Sequence, residues 1–208
     1  MSIPTLQATW QTNSARYRGY LVQAYRQDAA GNYLVPADER AFIVDSSFLR
    51  IFIEWESFLE EAFVQYLLGN ASGAGRAANR HVRPIDPDHA RRLLIGTQKY
   101  VDWANPEIVR TLARLVFAGG EPFHSILSSI NSDLLDLRTI RNAAAHLTST
   151  TSASLDGVAT RRLNRTQSHI TVADFILQID PNGAGGATIL DGYMGLMDAA
   201  VHRISNWW

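Results

Sequence analysis

Residues 51–69 read IFIEWESFLEEAFVQYLLG. Phe52, Trp55, Leu59, Phe63 and Leu67 recur there at steps of three and four, the spacing of one helix face rather than the alternation of a strand. Gly69-Asn70 supplies the stop. Upstream the helical pattern continues back to Ala37, which at ~1.5 Å per residue makes a helix of about 48 Å and leaves room for a bend near Asp45–Ser47. So long an amphipathic helix needs apolar partners, and the rest of the chain offers mostly further helices.

The second patterned stretch is Leu134 to Thr148, LLDLRTIRNAAAHLT, in which Leu134, Leu137, Ile140 and Ala144 form a buried-type face. Asn131 or Ser132 is its expected cap. Pro4 to Ala29 reads as a first helix stopped by Gly31-Asn32. Pro87 opens a short helix through Leu94, and Asn105-Pro106-Glu107 starts another that runs to Phe117. Gly119-Gly120 breaks that helix, and Glu121 to Ile130 is a further short one. Thr188 to Trp208 is a final amphipathic helix. Ile170 to Ile179 fits a strand or a short helix equally, so a minor β element near the C-terminus stays open. Residues 70–88, rich in Gly, Ala, Arg and Pro, read as a basic loop. The Ser/Thr-rich run after His146, with the polar segment to His169, reads as a mobile loop over 147–169. The expectation is one all-α domain over residues 1–208, with its core in about 37–148.

Composition excludes several classes. The chain has 208 residues, 46% hydrophobic and 19% charged, which is ordinary for a globular domain and too apolar for disorder. It has no cysteine, so disulfides and thiolate metal sites are ruled out. No apolar run approaches the ~18 residues that span a bilayer, and the opening residues lack a signal-peptide pattern, so a cytoplasmic location is expected. The net charge of −1 argues against a large sequence-blind nucleic-acid binder. Charge is nevertheless uneven: Asp38 to Glu61 carries seven acids against two arginines, and Arg76 to Arg92 five arginines against two aspartates. Apart from Lys99 every basic residue is arginine, whose planar fork suits phosphate.

Arg141 and His146 are the leading candidates for chemistry. The same Arg-x4–6-His spacing also occurs at Arg76…His81, Arg83…His89 and Arg162…His169, so spacing alone decides nothing. Only Arg141…His146 closes a strongly patterned helix, where packing can hold side-chain geometry. The bland alternative pairs Arg138 and Arg141 with acids such as Asp136 and leaves His146 at a helix C-terminus, favoured by the dipole. On an ideal helix residues five apart are about 140° apart. Arg141 and His146 therefore meet only if the helix unwinds near Ala145 or a second copy completes the site. His81, Asp86, Asp88 and His89 lack metal-site spacing, GNASGAGR lacks the P-loop lysine, and no nucleophile elbow is present. Glu56 and Glu60, one turn apart on the long helix, can face the arginines of the second stretch.

Together, LxxLRxIRNxxAH (Leu134 to His146) and the W-E-x-F-x-E-x-x-F-x-x-Y-L helix (Trp55 to Leu67) resemble the HEPN superfamily, and look closest to its RiboL-PSP-associated branch. Asn105-Pro106 opening an intermediate helix also fits. The resemblance covers roughly Ala37 to Thr148. It implies an α-helical bundle, a homodimer with a shared active site, and a metal-independent endoribonuclease without cofactor, acting as a toxin of a toxin–antitoxin or antiphage system with a cognate antitoxin among its partners. It implies Arg141 and His146 as the catalytic pair, Asn142 as the polar residue beside them and Glu56 as the acid on the long helix. Arg138 and the loop arginines Arg76, Arg80 and Arg83 would then position RNA. Where one regulated branch has a tyrosine two places after the histidine, this chain has Thr148, so nucleotide transfer onto that tyrosine is not implied. Some HEPN domains are catalytically idle binding or assembly modules, which is the alternative function.

Overall fold

The described residues of the computed structural model are 2–146 and 148–208. They are all-α. The helices are α1 (Ile3–Ala24), α2 (Ala37–Leu68), α3 (Pro87–Ile95), α4 (Pro106–Val116), α5 (Phe123–Ser129), α6 (Asn131–Ala145), α7 (Ser149–Leu163), α8 (Val172–Ile176) and α9 (Ile189–Ser205). A 3₁₀ turn, Ala118–Gly120, sits between α4 and α5, with Gly119 at φ 66°. Only isolated bridges, such as Ile179 to Thr188, represent β structure among the described residues. The segment that fitted strand or helix equally is the short helix α8 followed by that bridge.

Local chemistry explains the boundaries. Asn105 caps α4 by accepting from Glu107 N–H, with Pro106 in the first turn where no amide hydrogen is needed. Asp86 caps α3, accepting from His89 N–H at 2.7 Å. α2 is continuous through Asp45–Ser47. α1 ends five residues before Ala29, because the Asp28 carboxylate gathers the N–H groups of Ala30 and Asn32 at 2.8 and 2.9 Å and turns the chain there.

One reading is corrected. Residues 149–163, expected within a mobile loop, form the helix α7. Leu147 lies outside the described residues. The Ser/Thr run is the start of that helix. Thr148 accepts from Thr151 N–H at 3.2 Å, and Thr148 N–H donates to Thr151 Oγ1 at 3.1 Å, a reciprocal cap. Beyond it Leu155, Val158, Ala159 and Leu163 are buried at helical spacing, a face diluted in the sequence by the polar residues between them. Thr148→Ala is expected to cost about 1 kcal/mol of stability in urea unfolding. An unchanged midpoint would show that the cap does not hold α7.

The chain forms two compact units, each assembled from separate stretches. The first comprises residues 2–11, Glu54–Leu135 and Leu196–Trp208. Its core is aromatic: Phe63 is fully buried and packs on Phe123, Trp103 and Phe117 with ring centroids 3.8, 5.1 and 5.6 Å away. Tyr66 donates its hydroxyl to the Ile204 carbonyl at 2.6 Å, and Trp10 donates to Asp198 at 2.8 Å, so the polar tips of these two rings are satisfied. The second comprises Thr12–Ile53 and Asp136–Gly195. Phe48, Phe52, Leu137, Ile140, Leu155, Phe175 and Tyr193 are buried in it. Arg162 bonds the nearly sealed Asp180 carboxylate at 2.6 Å and lies over the Tyr193 ring, so this buried charge is matched. No helix among the described residues is long and apolar enough to cross a membrane.

Candidate active site

α6 carries the proposed catalytic residues into the second unit. Leu137 and Ile140 are buried on its apolar face, while Arg138, Arg141 and Asn142 are half-buried beside it. The helix closes at Ala145, and His146 is the next residue, still tied by its N–H to the Asn142 carbonyl at 3.0 Å. The His146 carbonyl accepts from both Thr148 N–H, at 3.1 Å, and the Thr151 hydroxyl. The peptide of His146 is thus held between the end of α6 and the cap of α7, and its imidazole side chain is exposed. Arg141 Nη1 donates to Asn142 Oδ1 at 3.3 Å, which joins the guanidinium to the neighbouring amide.

His146 lines a cleft of about 380 Å³ in this unit. Asp45 of α2, Thr148 and Ser152 at the start of α7, and His169 and Thr171 ahead of α8 also line it. Arg141 is not among its lining residues. The cleft has hydroxyls, two imidazoles and a carboxyl, a set able to bind a polar ligand and to move protons.

Two of these groups escaped the sequence reading. His169 belongs to the Arg162…His169 match that lacked apolar support. Its partner Arg162 is committed to Asp180, but His169 itself reaches the same cleft as His146. It has φ 55°, and the Asp156 carboxylate accepts from the N–H groups of His169 and Ile170 at 3.0 Å each, which fixes that turn. The only sequence signal for it is the spacing itself, which three other matches in the chain share. Asp45 gave no signal beyond a lone acid in an apolar stretch of helix.

Asp45 is also electrostatically unusual. Burial pushes its carboxyl up from 3.8 to about 6; the Ala173 N–H opposes this, and the Asp174 charge adds to it. Its Oδ1 is sealed from solvent and has no hydrogen-bond partner among the described residues. The folded state therefore holds this proton more tightly than the unfolded chain does. The stabilisation is complete below pH 3.8 and is lost as the pH rises through about 6. Wild type is expected to lose thermal stability between pH 4 and 7 that Asp45→Asn retains. Parallel melting curves for the two proteins across that range would refute the assignment.

The remaining sequence candidates lie in the first unit. Glu56 is half-buried on α2. Arg76 lies over the Trp207 ring at 3.8 Å and donates to the Trp208 carbonyl, so it holds these two residues. Arg80 donates to the Leu67 carbonyl at 2.8 Å and packs where a Cβ on Gly69 would stand, which with φ 91° explains that glycine. Both arginines are therefore at work in the fold. Arg83 is exposed. Glu60, expected to face the arginines of α6, bonds Arg91 of α3 at 3.2 Å, with Glu61 on the same guanidinium. No cluster of three or more metal-ligating side chains with suitable placement occurs among the described residues.

Fold and site together define an all-α protein with a polar, titratable cleft at the α6–α7 junction. No protein-family model, curated protein or solved structure matches the chain.

Proposed function

We propose that this protein is an endoribonuclease of the HEPN type, a metal-independent toxin that cleaves RNA by 2′-hydroxyl transesterification. The observation that carries the reading is the placement of His146: it follows the last residue of α6, lines a polar cleft, and stands one turn beyond the hydrogen-bonded Arg141–Asn142 pair. RNA brings its own nucleophile, so the protein has only to move protons and stabilise charge. The imidazole of His146 takes the 2′-hydroxyl proton. The Arg141 guanidinium offers a forked donor to the phosphoryl oxygens as negative charge builds on them. Asn142 orients that fork through its side-chain oxygen. The products are a 2′,3′-cyclic phosphate and a free 5′-hydroxyl.

Arg141 does not line the cleft that holds His146. A homodimer answers this, with Arg141 of one copy serving the His146 cleft of the other, and it agrees with the HEPN-like pattern of α6. Arg138, on the same helix as Arg141, holds the RNA backbone in this reading. A cytoplasmic protein of this kind arrests growth unless a cognate antitoxin neutralises it.

The same absence of Arg141 from the cleft favours the second reading, an idle HEPN-like module that binds a ligand or a partner. Expression of wild type, Arg141→Ala and His146→Ala separates the two. The ribonuclease arrests growth and cleaves RNA in EDTA, and both variants lose these effects. A wild type that is harmless and leaves RNA intact at every concentration leaves the module. Light scattering reads the dimer independently, and a strict monomer removes the shared site.

A further inference from the structure

Transesterification needs two proton movements, one away from the 2′-hydroxyl and one onto the departing 5′-oxygen. His146 accounts for the first. We propose that Asp45 is the second catalytic group, the acid that protonates the 5′-oxygen as it leaves; this rests on the ribonuclease reading of the same cleft.

The geometry supports a carboxyl that keeps its proton. Asp45 lines the cleft with His146 from a different element, α2, so substrate in the cleft meets both. Its Oδ1 is buried without a donor. Burying a charged carboxylate oxygen there costs more than burying a neutral carboxyl, so the site favours the protonated form, and the proton that reaches substrate is the one on Oδ2. Burial has already raised the group to about 6, within the range where an acid can both hold a proton and release it. The groups around it explain why it is not quenched. On α2 the residues one turn away are the uncharged Ala41 and Leu49. α7 presents the hydroxyls of Ser149, Thr151 and Ser152 to the cleft, and α8 contributes the Ala173 N–H and the like charge of Asp174. His146 and His169 are the two imidazoles on its walls, and the Asp156 carboxylate is occupied by the backbone at His169 and Ile170.

The step balances. The imidazole of His146 takes the 2′-hydroxyl proton, the 2′-oxygen forms its bond to phosphorus, and the bond from phosphorus to the 5′-oxygen breaks. The 5′-oxygen carries away the Asp45 proton. The enzyme is left with an imidazolium and a carboxylate, and exchange with water restores both.

The test uses an oligoribonucleotide that wild type cleaves, and the same oligonucleotide with sulfur in place of the 5′-oxygen at the scissile bond. A thiolate leaves without protonation, so the sulfur substrate needs no acid. Asp45→Asn is expected to cleave the oxygen substrate about 10²–10⁴-fold more slowly than wild type. It is expected to cleave the sulfur substrate within a few-fold of wild type and to lose the alkaline limb of the pH–rate profile. Equal loss on both substrates would mean that Asp45 only positions α8, and would overturn the assignment alone. Rescue by sulfur in His169→Gln and not in Asp45→Asn would also overturn it, giving the role to the second imidazole. A wild type that cleaves neither substrate would overturn the ribonuclease reading, and the Asp45 role with it.

Discussion

His146→Ala is expected to lower RNA cleavage by about 10²–10⁴-fold while leaving the fold intact. Both halves of that expectation have a structural basis. The imidazole is exposed, and what binds residue 146 to the protein is its backbone, through Asn142, Thr148 and Thr151. Alanine keeps every one of those bonds, so unfolding in urea should move by no more than ~0.5 kcal/mol. α6 offers no other imidazole among the described residues, and His169, which also lines the cleft, sits on the segment before α8. Single-turnover cleavage with EDTA present is the measurement. Undiminished cleavage by the purified variant would move the chemistry elsewhere in the chain. Arg141→Ala should fall by a similar factor, and mixing it with His146→Ala should restore part of the activity if the site is shared between two copies. That restoration is the sharper result, because separate sites within each chain cannot produce it.

Phe63→Ala is expected to remove about 3–5 kcal/mol of stability. Its ring is fully buried and meets Phe123, Trp103 and Phe117, residues that come from three separate segments between α3 and α5. Truncation leaves a cavity lined by rings that cannot collapse into it, which puts the cost at the high end for a core residue. The denaturation midpoint should fall with little change in slope. If the two units unfold in separate steps, only the step of the first unit should shift. A loss below ~1.5 kcal/mol would contradict the packing around Phe63. Phe42, exposed at 72%, is the matched control and should change stability by no more than ~0.5 kcal/mol on truncation.

The legible parts of the fold share a physical character. The stripe from Phe52 to Leu67 marked α2, Asn105-Pro106 marked the start of α4, and Pro87 marked α3, because periodicity and capping act over a few neighbouring residues. α7 was missed for the converse reason. Its first turn is all Ser and Thr, which taken singly favour loops, and it becomes a helix start only through the reciprocal Thr148–Thr151 cap. The four apolar residues behind that cap are too widely spaced among polar ones to announce a face until Leu155 and Val158 are buried. For the site, α6 displayed Arg141, Asn142 and His146 in one short run. The loop arginines Arg76 and Arg80 look equally available for RNA, yet the Trp208 carbonyl and the end of α2 engage them. A sequence shows that a guanidinium exists and leaves open which carbonyl it meets.

The sequence by itself determined the all-α class, the long aromatic helix and the identity of the residues at the end of α6. Those follow from local periodicity and from side-chain type. Only tertiary structure decided which residues share a cleft. Asp45 and His146 are about a hundred positions apart, and His169 stood in a segment without pattern. The chain brings all three to one cavity because α2, α6, α7 and α8 each have an apolar face to bury, and burying those faces carries their polar residues with them. The upward shift of the Asp45 carboxyl is likewise a tertiary property: it comes from removing the group from water, which no neighbour in sequence can do.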